Sequence, residues 1–567
     1  MMIPELPPEV WQRILDYLPT DEFVRIRQVN RLFHDFAMDR RFHTVKFTTN
    51  DPGRYMYKLN QFKNPYSSAK VRRLKIMPSV LFTAINCKPG GPAPLGTSNT
   101  NGRPSVMGTQ TPPSPAPISR TTRFKTFVQV ITKKRPPVPT VSPSKIPSEA
   151  ERERLYFSTV RGYVGLVECQ FTFPSSTGSG VQGSDDSWAH LVTRLWPILG
   201  YRLRILHLDI LFPDLWGILR SAAGLKNLRE LRLGLYLSPT SGIDLKAEIQ
   251  TTVIPFLNRL TATLERLSIV SESYTDSNFA AVVSGLHHFP LLTHLSVPLA
   301  AEQTLGALGY FLQIHQSHLR GLSITAEVYG YYPHQNLQLS PRPKSLLPGT
   351  KLPFDDVELA SLRHLEVGLS YWASIGSRLP IRLLAGISRN LTSLTVTKRF
   401  LNLDEVMTVL MPFSICDESM PTGQAGGPGL RNLVFCTMVL SVHMLDLLAR
   451  SFQGLEKLHM TIEGEEPEFV TTMQQRSASY SKPGYYDSWK VYDLTILRLV
   501  DDPAASSPVS PSGDTGPIRA GREGKRWKLA YAWAQMYAVA RCVPTLRSFG
   551  EQHHMRMTED DPGIYVA

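Results

Sequence analysis

Between residues 200 and 500 the hydrophobic pattern repeats itself. The spacing Leu-x-x-Leu-x-apolar occurs at Leu203/Leu206/Leu208, Leu228/Leu231/Leu233, Leu264/Leu267/Ile269, Leu292/Leu295/Val297 and Leu319/Leu322/Ile324. It returns at Leu362/Leu365/Val367, Leu391/Leu394/Val396, Leu430/Leu433/Phe435, Leu455/Leu458/Met460 and Leu494/Leu497/Leu499. Chance supplies on the order of one or two such runs in a stretch this long, so the chain reads as a repeat array. The last two apolar residues of each run alternate with polar ones, which predicts a short strand buried on one face. Segments such as 214–225, 278–289 and 441–452 place apolar residues three and four apart and predict helices between the strands. One strand and one helix cannot bury their apolar faces alone, whereas stacked neighbours can. The expected fold is therefore α/β: a curved solenoid with parallel strands inside and helices outside. Weaker echoes at Val71/Leu74/Ile76 and Leu546/Phe549 suit end units.

The first 45 residues follow a different rhythm. Pro7 and Pro8 suit the first turn of a helix, Glu9 complements its dipole, and Val10, Ile14, Leu15 and Leu18 share one face before Pro19 ends it. Thr20 is a good N-cap for a second helix carrying Phe23, Ile26 and Val29, and Asn30 for a third carrying Phe33 and Phe36. Three short helices have too little volume to hide this much apolar surface, so a partner or the following repeats must cover it.

The segment LPPEVWQRILDYLPTDEFVRIRQVNRLFHDFA resembles an F-box, on Leu6-Pro7 with Glu9, Ile14-Leu15, Leu18-Pro19 and Val29-Asn30-Arg31. Phe33 stands where that family often has Trp. The repeats behind it resemble the leucine-rich-repeat family, with a base period of about 25–29 residues plus insertions. They lack its Asn or Cys past the strand, where Leu211, Tyr236 and Arg399 stand instead. Together the two resemble F-box/leucine-rich-repeat proteins, of the irregular kind found in fungal members. That resemblance implies a substrate-recognition subunit of a Skp-cullin-F-box ubiquitin ligase, itself non-catalytic, with a Skp-type adaptor, and through it a cullin core, as partner. It implies that Leu6, Pro7, Pro8, Glu9, Ile14, Leu15, Leu18, Ile26 and Val29 form or support the adaptor surface, and that Phe33 holds the helices together. An unknown protein substrate would bind the repeats. The alternative is a leucine-rich-repeat interaction scaffold with no ligase role, in which residues 4–45 only cap the array.

Composition divides the rest. The predicted organisation is a helical module at 4–48, a first repeat-like unit at 49–87, a disordered basic insert at 88–150, the array at 151–500, a loop at 501–526 and a C-terminal helix and end unit at 527–567. The chain carries a formal charge of +13, and eight of those charges come from the Pro- and Ser-rich insert, so the surplus marks a tail-like segment more than a folded basic patch. A third, weaker possibility is nucleic-acid binding through that insert; nucleic acid is not the expected partner. FKTFVQVIT within it, residues 124–132, alternates like a strand or a peptide ligand. Five scattered cysteines make neither a disulfide framework nor a zinc knuckle, and no apolar run is long enough to span a membrane. These features place the protein in the cytoplasm or nucleus. No cofactor, metal site or catalytic constellation is expected: Arg526 breaks a phosphate-loop reading of 516–526, and the pairs His287-His288 and His553-His554 point apart. If the leucines face inward, strand parity exposes Arg232, Arg266, His294, His364, Glu366, Lys457, His459 and Arg498 as a mixed-charge ladder for a substrate.

Overall fold

The structure is a computed structural model describing residues 7–16, 31–49, 51–86, 147–172, 187–236, 245–271, 276–298, 302–325, 357–368, 390–414, 429–478, 486–501, 527–549 and 553–554. The expected second helix, the strand at 124–132, nearly all of the basic insert and nearly all of the loop at 501–526 lie outside the described residues. Two compact units divide the chain, Met1–Leu203 and Arg204–Ala567.

In the first unit, helices α1 (Pro8–Asp16) and α2 (Arg31–Phe42) precede strand β1 (Thr44–Phe47). Helices α3 (Pro52–Gln61) and α4 (Pro65–Ala69) lead to β2 (Arg73–Ile76), and α5 (Pro78–Asn86) and α6 (Glu149–Arg161) to β3 (Glu168–Thr172). Helices α7 (Ser187–Thr193) and α8 (Trp196–Leu199) follow. The local reasons are plain: Asp51 and Asn64 cap α3 and α4 ahead of a proline, and Ser148 and Glu151 form a reciprocal capping box on α6. The strands run parallel, aligning Val45, Leu74 and Cys169, then Phe47, Ile76 and Phe171, all buried. The Val71/Leu74/Ile76 echo is thus a true unit, flanked by Phe42/Val45/Phe47 and Leu166/Cys169/Phe171, whose aromatic and Cys positions hide them from a leucine pattern.

This pairing corrects the expected boundary at 151. Strand β3 follows the insert yet pairs with β2 before it, and α6 packs on α3 and α5, so residues 147–203 belong with the N-terminal unit. Arg152, 1% exposed, donates from Nε to the Ile85 carbonyl at 2.6 Å and from Nη1 to the Pro147 carbonyl at 3.1 Å. One buried side chain therefore ties the two ends of the insert together.

The second unit holds ten parallel strands in sequence order: β4 (Ile205–Leu211), β5 (Glu230–Tyr236), β6 (Arg266–Ser271), β7 (His294–Pro298), β8 (Gly321–Thr325), β9 (His364–Gly368), β10 (Ser393–Leu401), β11 (Asn432–Leu440), β12 (Lys457–Glu465) and β13 (Asp493–Asp501). Helices between them include α9 (Phe212–Ser221), α10 (Leu245–Glu248) running through a π turn into α11 (Ile254–Asn258), α12 (Asp276–Gly285) and α13 (Glu302–His315). Later come α14 (Leu403–Leu410), α15 (Val442–Ser451), α16 (Phe469–Ala478) and α17 (Trp533–Ala540). Adjacent helices α12 and α13 pack on each other. The three helical segments expected at 214–225, 278–289 and 441–452 correspond to α9, α12 and α15.

One backbone device joins every pair of these units whose turns are described. The Glu265 and Arg266 amides both donate to the Arg229 carbonyl, the Thr293 and His294 amides to that of Glu265, and the Arg320 and Gly321 amides to that of Thr293. The same fork recurs on Arg320, Arg363, Thr392, Arg431, Glu456 and Tyr492. It fixes the register, so Leu206, Leu231, Leu267, Leu295, Leu322 and Leu365 line up in one buried row. Burial alternates along the strands, which is unusual for parallel sheets, whose two faces are ordinarily both covered. Here one face is apolar and packed, and the other polar and accessible.

Three expectations change. The last unit is framed by Val491, Leu494 and Ile496, which are buried, and not by Leu494/Leu497/Leu499. Residues 463–488, expected to be a loop, contain the end of β12 and helix α16, which buries Phe469, Met473 and Ser477 at four-residue spacing. The end unit is a composite: β14 (Trp527–Tyr531) pairs antiparallel with the second half of β13, while β15 (Ser548–Phe549) pairs parallel with its start and antiparallel with β16 (His553–His554). Among the described residues, no helix is long and apolar enough to cross a membrane.

Candidate functional site

Helix α1 carries an apolar stripe wider than α2 covers. Trp11 meets Phe33 edge-on at 5.2 Å, and Leu15, 2% exposed, forms a small core with Ala37, Phe33 and Phe36. Val10 and Ile14, one turn apart on the neighbouring flank, stay 38% and 42% exposed, as does Leu32 at 42%. Two of the expected roles therefore separate. Phe33 lies between α1 and α2, touching Trp11 and the Leu15 core. Leu15 lies in the core under the exposed stripe, because Trp11 and Leu15 fall on the α2 side of the helix while Val10 and Ile14 do not. Pro7 and Glu9 are exposed at the start of α1, and Pro8 is its first residue. Leu6, Leu18, Ile26 and Val29 lie outside the described residues.

The other face of α2 is anchored. The Tyr66 hydroxyl donates to the Asp35 carboxylate, and Lys70 pairs with Asp39 at 2.7 Å. That hydrogen bond holds the Asp35 carboxyl below its usual range and pushes the Tyr66 phenol up to about 12. Phe42 packs edge-on against Phe62 at 5.5 Å. The small helical module is fixed by polar and aromatic contacts on one side and left with bare aliphatic carbon on the other.

In the second unit, a groove of about 410 Å³ runs over the polar face of the sheet from β4 to β10. Register brings Glu230, Arg266, His294, Gly321, His364 and Ser393 into one row across six strands. Two residues on, Arg232, Ser268, Ser296, Ser323, Glu366 and Thr395 make a second row. Most charges at the edges are partnered. Arg232 pairs with Asp209 at 3.4 Å, Glu366 accepts from the Ser323 hydroxyl at 2.8 Å, and His207 lies 3.5 Å from Glu230. The contact with His207 holds the Glu230 carboxyl below its usual range.

The centre of the groove differs. His294 donates from Nδ1 to the Thr293 hydroxyl at 2.9 Å, since that hydroxyl itself donates to the Glu265 carbonyl at 3.1 Å. Its ring lies over Gly321, where an added Cβ would come within 2.4 Å of Cδ2, and stacks toward His364 with centroids 6.4 Å apart. Partial burial, then Arg266, His364 and Arg320, push the His294 imidazole below its usual range, with Glu230 opposing them. Arg266 is exposed and makes no ion pair among the described residues.

The expected ladder is thus largely assembled. Arg232, Arg266, His294, His364 and Glu366 line the groove; Lys457 and His459 share its face two strands beyond. Arg498 is a correction: it aligns with buried Ile462 on the opposite parity and turns instead to Glu465 at 3.7 Å. The frame of the last unit is displaced by three residues from the sequence reading, and an odd displacement flips the face. Charge alone misses Ser268, Ser296, Ser323, Thr395 and Gly321, which strand parity would have found.

A histidine cluster, His288, His315 and His318, gathers at the α12–α13 end of the second unit with ligand atoms within 4.8 Å of one another. The ring nitrogens of His315 and His318 are already engaged. His315 donates from Nδ1 to the Phe311 carbonyl at 2.7 Å and accepts the Phe289 amide on Nε2 at 2.9 Å, while His318 donates from Nε2 to the Phe289 carbonyl at 3.1 Å. Metal binding would break two backbone hydrogen bonds in a buried site, so the cluster reads as a structural clamp on the 286–292 turn.

No curated protein matches the chain. The family model described as F-box-like matches residues 3–47, the span of α1, α2 and β1, so the module with the bare aliphatic flank is an F-box-like domain.

Proposed function

We propose that the chain is the substrate-recognition subunit of a Skp-cullin-F-box ubiquitin ligase and is itself non-catalytic. In this reading the F-box-like domain docks a Skp-type adaptor, the usual partner of F-box domains, and the second unit is an irregular leucine-rich-repeat solenoid that holds a client protein on its polar face. The observation that carries it is the exposure of Val10, Ile14 and Leu32 on an F-box-like helix pair whose other side is anchored. Three aliphatic side chains left in water suit a hydrophobic partner. The repeated fork of two amides on one carbonyl and the alternating burial support the repeat reading. Its place of work is taken as the cytoplasm or nucleus.

The test is co-purification of the full chain with a Skp-type adaptor. The wild type co-elutes; Val10→Asp with Ile14→Asp loses at least about tenfold in affinity, roughly 1.4 kcal/mol, with an unchanged melting curve. Adaptor binding that survives the double substitution overturns the docking surface.

A scaffold reading without a ligase role has its own observation: α2 is tied to α4 by Asp35–Tyr66 and Asp39–Lys70, as an array cap would be. Under it, deleting residues 1–42 aggregates the first unit and the intact chain ignores the adaptor.

A further inference from the structure

The polar groove of the second unit has more specificity than a solvated sheet face needs. Its span from β5 to β10 crosses five strand spacings of about 4.8 Å, roughly 24 Å, which an extended chain of about seven residues covers. That shape suits a polypeptide better than a small molecule. Alternate side chains of such a segment would point down into the groove.

Charge then selects what points down. Arg232 and Glu230 have partners of opposite charge or hydrogen-bonding neighbours, and Glu366 is engaged by Ser323. Arg266 is left exposed beside two stacked imidazoles, with Arg320 acting on the same spot. Gly321 lets the His294 ring lie flat on the strand there, since a Cβ would strike it at 2.4 Å, and so sets the ring as the floor beside Arg266. The Ser268 and Ser296 hydroxyls, in register below Arg266 and His294, add donors. The groove already holds the carboxylates of Glu230 and Glu366, with Arg266 acting on that of Glu230, so a singly charged anion meets less repulsion there than a doubly charged phosphate. A guanidinium matches a carboxylate with two parallel hydrogen bonds.

We infer that the groove receives an extended client segment and holds one Asp or Glu side chain of it between Arg266 and the His294–His364 pair over Gly321. This deepens the proposed function by naming the client's recognition chemistry. It rests on the polar face being the client surface, and not on adaptor docking.

The test uses the full chain on an immobilised library of nine-residue peptides with randomised flanks and a fixed centre of Glu, Gln, Lys or phosphoserine. The wild type favours Glu over Gln about tenfold, Arg266→Gln brings the two to parity, and His364→Gln lowers the preference about threefold. Lys490→Gln, exposed in the turn before β13 and outside the groove lining, leaves it unchanged, and thermal melts show all variants folded. Equal retention of Glu and Gln by the wild type, a preference that survives Arg266→Gln, or phosphoserine outranking Glu overturns the inference. Adaptor co-elution is read separately, so its failure would count against the ligase reading and leave the peptide result standing.

Discussion

His315 is fully buried with both ring nitrogens in backbone hydrogen bonds, and burial drives its imidazole from the usual 6.5 down to about 4. The folded state holds it neutral while the unfolded chain takes up a proton, so the stability it contributes is complete above 6.5 and is lost as pH falls from there toward 4. Thermal melts across that window should show His315→Gln with a shallower pH dependence than the wild type. The variant should also be about 1–3 kcal/mol less stable at pH 7.5, because the Phe289 amide loses a well-placed acceptor. At Gly321 the expected effect is local. Gly321→Ala pushes the His294 ring off the strand and costs about 1 kcal/mol, read as shifted His294 imidazole resonances with unchanged far-UV circular dichroism.

At the scale of elements, α1 shows how one amphipathic stripe serves two purposes. Leu15 belongs to the internal core, so Leu15→Ala should cost the F-box-like domain about 2–4 kcal/mol in chemical denaturation. Val10 and Ile14 stand in water and should tolerate polar replacement with little change in stability, which separates folding from docking in one helix. A helical period read from sequence marks both sets as one face, and only the placement of α2 divides them. The strands show the opposite case. Their alternation made the buried and polar faces legible throughout the array, because a period of two leaves no other choice once leucines are inward. It failed at β13, where Leu494 fits two frames and the buried one is Val491/Leu494/Ile496. Helix α16 was missed because Phe469 and Met473 are its only large buried side chains, too few to outweigh a polar, Gln-rich stretch.

At the scale of whole units, the basic insert is tied off by the fold. Strand β2 before it and β3 after it align residue by residue, and Arg152 grips Ile85 and Pro147 at its two ends. Replacing residues 89–145 with a ten-residue Gly/Ser linker should leave the first unit folded and gain roughly 1 kcal/mol through a shorter loop closure, measurable by urea denaturation. Loss of cooperative unfolding on that replacement would assign the insert a structural part. The same forked turn recurs in each unit taken separately, with the Arg72 and Arg73 amides on the His43 carbonyl in the first and the series from Arg204 in the second.

By itself the sequence determined the helix-rich N-terminal module and, from β4 to β12, the alternating strands and the polarity of their faces, since these depend on residues a few positions apart. The F-box resemblance was legible for the same reason, and the F-box-like match bears it out. The tertiary structure alone decided which polar side chains become neighbours. Arg266, His294, Gly321 and His364 lie far apart in the chain and meet because backbone forks set the register across connections of unequal length. The exposure of Val10, the burial of Leu15 and the pairing of β2 with β3 across the insert were settled in the same way, by packing between distant segments.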